Sequence, residues 1–178
     1  MTSGAGMGRT IKARAMRGYS VLELVILLAI VLVIGGIALE RLLYHQEYSE
    51  KVAMELTALN VKSGLRLKVG ELILARRFDE VPKLAGDNPV NWLGARPANY
   101  LGELFDPNLE DIPPGGWYYD RKRRELVYRP DMTRFLASAG ADPRLRWQVT
   151  VLARPIQVEG EGEMEWATLR LVTPYKWF

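Results

Sequence analysis

Met16-Arg17-Gly18-Tyr19-Ser20-Val21-Leu22-Glu23-Leu24, continued by an apolar run to Leu39, is the stretch on which the reading of this chain turns. From Tyr19 to Leu39 there are 21 residues and a single charge, Glu23. Wound as a helix, that run is about 31 Å long, the thickness of a bilayer's hydrocarbon core. Arg9, Lys12, Arg14 and Arg17 precede it, and no acid occurs among residues 1–18. Such a bias holds an N-terminus in the cytoplasm and exports the chain beyond the apolar run. A carboxylate at membrane depth costs on the order of a few kcal/mol, which makes Glu23 a functional candidate.

Beyond Leu39 no proline occurs until Pro82, and residues 40–78 are rich in Glu, Leu, Ala, Lys and Arg. These residues favour helix. One helix is therefore expected from about Ser20 to about Phe78, weakest at Gly35-Gly36. Its second half carries two apolar stripes. Val52, Leu56, Leu59, Leu67 and Leu74 form one; Met54, Ala58, Val61, Leu65, Val69 and Leu72 form the other, nearly opposite. A surface helix of a monomer needs one such face. Two faces imply two partners: a sheet of the same chain for the first stripe, and neighbouring molecules for the Met54–Leu72 stripe. A helix buried between two layers of one domain is the alternative.

Six prolines between Pro82 and Pro114 read as a long connection. Trp92, Leu93, Leu101 and Leu104 are placed to anchor a short helix within Asn91–Leu104. Trp117-Tyr118-Tyr119 and Glu125–Arg129 flank Asp120–Arg124 as a β-hairpin. Residues 131–143 read as irregular, or as a helical turn around Phe135 and Leu136. Leu145, Trp147, Val149 and Val151 alternate with polar residues, as do Ala167, Leu169 and Leu171, with a turn at Glu159–Glu163. The expected fold is α+β: a long N-terminal helix packed on a four-stranded antiparallel sheet with one apolar face.

The chain has 178 residues, a formal net charge of +3 and no Cys. Without residues 1–18 the balance is 20 basic against 21 acidic side chains, so the basic character belongs to the N-terminus. It is poor support for a nucleic-acid partner, which is not expected. Arg121-Lys122-Arg123-Arg124 reads first as a solvated turn, with phosphate or lipid headgroups as the alternative ligand. Asp106, Glu110, Asp111 and Asp120 are hard oxygen donors, but their spacing fits no EF-hand, and no metal site is expected. His45 stands alone as an exposed helix residue, and Ser49, Ser63 and Ser138 fall in no nucleophile motif. With no G-x-S-x-G, no Cys and no P-loop, neither catalysis nor a cofactor is expected.

The basic leader, Gly18, the Tyr19-Ser20-Val21-Leu22-Glu23 series and the apolar run together resemble the N-terminal signature of type IV pilins and type II secretion pseudopilins. The resemblance covers about the first 40 residues. It implies a prepilin leader at 1–18, a transmembrane half of the helix at 19–39 and a periplasmic pilin-like domain at 40–178. It also implies cleavage by a prepilin peptidase between Gly18 and Tyr19, N-methylation of Tyr19, and assembly through Glu23, whose carboxylate meets the new Tyr19 amine of an adjoining subunit. The implied partners are that peptidase, other pilin or pseudopilin subunits, an inner-membrane assembly platform and the lipid bilayer. Two positions depart from the pattern. Tyr19 stands where Phe is usual, and Glu40 where many relatives have a helix-kinking Pro. Without Cys, the disulfide-bounded C-terminal loop of many major pilins is excluded. A DNA-binding minor pilin, an ordinary membrane-anchored periplasmic protein, and an exported protein whose apolar run is a secretory signal cut after Ala38 are the alternatives.

Overall fold

In the computed structural model of the chain, residues 20–138, 142–157 and 164–178 are described. The chain forms two compact units, Met1–Leu42 and Leu43–Phe178. One helix, α1 (Val21–Leu74, 54 residues), contributes to both. Ser20 caps its start: Ser20 Oγ accepts from the Glu23 amide at 3.3 Å, and the Ser20 carbonyl accepts from the Leu24 amide at 3.1 Å. Glu23 sits in the first turn, where an acid also favours the helix dipole. The helix stops at Leu74, short of the expected Phe78. Arg76 adopts the left-handed conformation (φ 57°), Arg76 N–H bonds the Ile73 carbonyl and Arg77 N–H reaches back to the Leu72 carbonyl. That is a Schellman-type stop with Arg in the position glycine usually takes.

In the first unit, every described residue of 20–42 is exposed. This part of α1 includes a window of mean hydropathy 3.0 and is long and apolar enough to cross a membrane or to act as a signal sequence.

The second unit is α+β. Its main sheet has five strands, where the sequence suggested four: β1 (Tyr100–Leu104), β2 (Gly116–Asp120), β3 (Glu125–Arg129), β5 (Leu145–Gln157) and β6 (Met164–Leu171), in the order β1-β2-β3-β5-β6. Nor is it wholly antiparallel, because β1 runs parallel to β2. β1 occupies the tail of the segment read as a short helix. Pro97 interrupts that helix, Gly102 takes φ 101°, and the register with β2 shifts between Tyr100 and Glu103. What remains helical is a 3-10 turn, Pro89–Trp92, started by Asn88 Oδ1 accepting from the Val90 amide at 3.1 Å. β4 (Leu136–Ser138) and β7 (Tyr175–Trp177) form a separate two-stranded ladder. Strands of three residues are too short for alternation to reveal, so residues 136–138 read as irregular or helical.

Register explains the core. Trp117 faces Tyr128 and Tyr119 faces Leu126 across β2–β3; Leu126 then faces Trp147 and Tyr128 faces Leu145 across β3–β5. These residues share one face, and Met54 and Val61 of α1 pack on it. The Trp117 ring lies 4.8 Å from Tyr128 and 5.2 Å from Trp147. Such pairs add about 0.5–1.5 kcal/mol each beyond burial. Further along, Leu65, Val69 and Leu72 meet Val149 and Ala167, with Val81 and Leu84 of the 3-10 helix Phe78–Gly86 closing the edge.

The helix thus meets the sheet with the Met54–Leu72 stripe, which reverses the expectation. Leu65 is fully buried, whereas Leu67 is 76 % exposed and Leu74 88 %. Gly64 lies beside the buried stripe: a Cβ there would come within 3.1 Å of Leu93 Cδ2, so the absent side chain lets the 92–93 segment close on the helix. The opposite sheet face is covered too. Tyr118 and Val127 pack against Ile112 and Leu104. Arg129 fastens this cover by donating to the Leu109 carbonyl at 2.7 Å and to the Ile112 carbonyl.

Candidate functional site

Three places carry concentrated polar chemistry. At the first, Gly18 and Tyr19 lie outside the described residues. Glu23 is described, and its side chain projects from an exposed, otherwise apolar helix surface. No hydrogen bond or ion pair engages its carboxylate among the described residues.

The second place is one turn of helix in the second unit, around Glu47 and Glu50. Glu47 is only 2 % exposed. Its Oε1 accepts from the Phe135 amide at 2.8 Å and from Trp177 Nε1 at 2.9 Å. Glu50 Oε1 accepts from Tyr128 Oη at 2.9 Å and the Asp131 amide at 2.6 Å, and its Oε2 from the Met132 amide at 3.0 Å. Burial, followed by the hydrogen bond to Glu50, raises the Tyr128 phenol well above its ordinary value. Tyr44, Phe135 and Phe178 contact one another nearby, with ring centroids 4.9–5.4 Å apart. Two carboxylates therefore take five donors and tie α1 to residues 128–135 and to the C-terminal strand. Spacing marks them: 47, 50, 54, 58, 61, 65, 69 and 72 recur at three and four residues, so both acids sit on the buried stripe. A paired acid on an apolar stripe was the signal that sequence reading passed over.

The third place is the β2–β3 hairpin tip. Asp120 is 3 % exposed, and its Oδ1 accepts from the amides of Asp106 (3.3 Å), Lys122 (2.9 Å) and Arg123 (3.4 Å). Lys122 pairs with Asp106, and this ammonium holds the Asp106 carboxyl below its usual range. Arg123 Nε lies 3.8 Å from Asp120. Of the acids considered as calcium ligands, Asp106 and Asp120 are thus engaged within the tip itself. No group of three metal-ligating side chains occurs among the described residues.

Arg121 and Arg124, in contrast, have no carboxylate within ion-pair distance among the described residues. Both line a cavity of about 410 Å³ with Asn88, Asn91, Trp92 and Tyr119, whose hydroxyl donates to the Gly86 carbonyl at 3.2 Å. Burial raises the Tyr119 phenol to about 12. At the far side of the sheet Arg144 bonds the Asp142 carboxylate at 2.8–3.0 Å, the Pro107 carbonyl at 3.2 Å and Tyr118 Oη at 3.3 Å. His45 is exposed, as expected.

Compared with protein-family models, with curated proteins and with solved structures, the chain matches none.

Proposed function

We propose that this chain is a structural, pilin-like subunit of a type II secretion pseudopilus or a type IV pilus. It is made as a single-pass inner-membrane precursor with its C-terminal domain in the periplasm, cut after Gly18 by a prepilin peptidase and methylated on Tyr19. The observation that carries the reading is the contrast in carboxylates. Glu47 and Glu50 accept five hydrogen bonds inside the domain, whereas Glu23 stands with no partner among the described residues on an apolar helix long enough to span a bilayer. Cleavage after Gly18 creates an amine at membrane depth four residues away. In low dielectric, such an amine and the Glu23 carboxylate of a staggered neighbour neutralise each other, so assembly removes two unfavourable charges together.

A nucleic-acid role through Arg121–Arg124 has less support, because Lys122 and Arg123 already face acids of the same tip. Intact-mass and N-terminal peptide analysis of membrane-extracted protein tests the proposal. The expected chain starts at Tyr19 and carries one extra methyl group. A mature chain starting at Leu39 overturns it.

A further inference from the structure

The cavity at the hairpin tip holds charges of both signs that do not meet. Arg121, Arg124, Asp87 and Glu103 all line it, and all four residues are exposed. Among the described residues none of the four forms an ion pair. The one side-chain hydrogen bond any of them makes is that of Glu103 Oε1, which accepts from Asn88 Nδ2 at 3.0 Å. Two cations and two anions cancel, so the cavity has no bias toward an acidic or a basic ligand. Its walls are held from within. Asn88 spends its whole amide on the fold: Nδ2 also donates to Tyr100 Oη at 2.7 Å, and Oδ1 accepts from the Val90 amide. The Arg121 amide donates to the Leu104 carbonyl at 2.8 Å. Arg124 takes the left-handed conformation (φ 57°), and its guanidinium lies by Gly86, where a Cβ would come within 3.4 Å of Nη1. Asp87, Glu103 and Arg124 all act on the Tyr119 phenol, which places both signs of charge around one point. Trp92, half-buried, adds an indole to the lining.

We propose that this cavity binds a neutral saccharide. A sugar hydroxyl both donates and accepts, so neighbouring hydroxyls bridge a carboxylate and a guanidinium that do not reach each other. A purely anionic or purely cationic ligand satisfies one pair and leaves the other desolvated beside it. The indole supplies the apolar surface on which the C–H face of a sugar ring stacks. The volume, about 410 Å³, lies within the range of about 300–1,000 Å³ usual for small ligands and gives room for one or two sugar rings. Arg121 and Arg124 donate to the ligand, Asp87 and Glu103 accept from it, and Asn88 holds Glu103 in position. A zwitterion also carries both charges, but its ammonium and carboxylate leave the indole unused. The proposal concerns the second unit alone and does not rest on the filament reading.

Calorimetric titration of the full chain tests it, in a detergent without a sugar headgroup, which would compete. The probes are maltotriose, cellotriose and the trimer of N-acetylglucosamine. At least one is expected to bind with a Kd of about 1 mM or tighter. Arg121→Gln with Arg124→Gln should weaken binding by about tenfold or more, because neutral hydrogen bonds replace charge-assisted ones. Asp87→Asn with Glu103→Gln should do the same from the other sign of charge. Gln at position 103 keeps an oxygen for Asn88, and urea midpoints equal to wild type show that both double variants fold. Trp92→Phe should remove the change in tryptophan emission that accompanies binding. Raising the salt from about 0.05 to about 0.5 M should leave Kd within about twofold, since the ligand has no charge to screen. Glycylglycine is the zwitterionic comparison. If it binds more tightly than every saccharide, and the same variants abolish that binding, the site is for a peptide and the proposal is overturned. Absence of saccharide binding up to about 10 mM, or binding that both double variants retain, overturns it outright. The filament reading is judged separately, by the N-terminus of the mature chain.

Discussion

The two halves of α1 treat a carboxylate in opposite ways. Up to Leu42 the helix is exposed and almost wholly apolar, and its single acid before Glu40 has no partner among the described residues. From Glu47 to Leu72 the helix buries one stripe, and the two acids on that stripe are bonded to three backbone amides, a phenol and an indole. Burial alone does not explain the difference. A buried carboxylate is tolerated when donors are arranged around it, and it is costly when it has none. Glu47 serves the fold, because the chain itself supplies its donors. Glu23 has none among the described residues.

Breaking the inner half of this contrast should produce the largest effect. Glu47→Ala leaves the Phe135 amide and the Trp177 indole N–H without their acceptor. Each buried donor left unsatisfied costs about 1–3 kcal/mol, so the second unit should lose about 2–6 kcal/mol. All five Trp residues lie in that unit, so urea unfolding of the full chain in detergent, followed by tryptophan fluorescence, reports it directly. A midpoint unchanged from wild type would show that these donors find water instead and that Glu47 is no anchor.

The next effect separates the two stripes. Leu65→Ala removes a fully buried side chain facing Val149 and Ala167 and should cost about 2–5 kcal/mol. Leu67→Ala, two residues on and exposed, should stay within about 0.5 kcal/mol. The same unfolding assay compares them, and equal losses would restore the stripe assignment drawn from sequence. That assignment failed for a physical reason. Helical periodicity shows that two faces exist, but both are apolar, and the choice between them depends on what else shares the face. Gly64, Glu47 and Glu50 all lie on or beside the buried one, and each needs a close neighbour or a donor. The hairpin at Trp117–Arg129 and the strand from Leu145 were legible because alternation and turn residues are local signals. β1, β4 and β7 were not, since their pairing is decided by partners far away in sequence and by a bulge at Gly102. The lone charge of Glu23 in its apolar run is visible in the sequence, whereas the Arg121–Arg124 cavity required tertiary placement of Trp92 and Asn91.

A smaller, pH-dependent effect belongs to the outer sheet face. Burial pushes the Asp142 carboxyl up, and hydrogen bonds from Arg144 and Arg146 more than reverse this, holding it at about 2. A carboxyl depressed in the folded state contributes stability above its unfolded value, near 4, and loses it as pH falls through about 2. The second unit should therefore weaken between about pH 4 and pH 2, and Asp142→Asn should flatten that part of the profile. Because the Asp142 side chain is 38 % exposed, screening keeps the amplitude modest. Urea midpoints measured across this range in wild type and variant check it. Parallel curves would assign the acid transition to other carboxylates.

The smallest effect on folding is expected at Glu23, and it is the one that tests the contrast between the two halves. Glu23→Gln keeps the backbone amide that bonds Ser20 Oγ, so the helix start survives, and the side chain has no partner among the described residues to lose. Unfolding of the second unit should stay within about 0.5 kcal/mol of wild type, and extraction from membranes should be unchanged. A neutral amide is also cheaper than a carboxylate at membrane depth, so insertion is not weakened. Assembly is different. If the carboxylate's partner is the Tyr19 amine of a neighbour, the substitution leaves that amine buried and uncompensated, at about 3–5 kcal/mol per contact. That is roughly a hundredfold or more in each association step, so crosslinked oligomers and sheared filaments should fall below detection while processing at Gly18 continues. Equal incorporation of variant and wild type would show that Glu23 needs no charged partner and would end the pairing mechanism. Loss of domain stability in the same variant would instead mean that Glu23 has a partner within its own chain, and the two halves of α1 would no longer differ in kind.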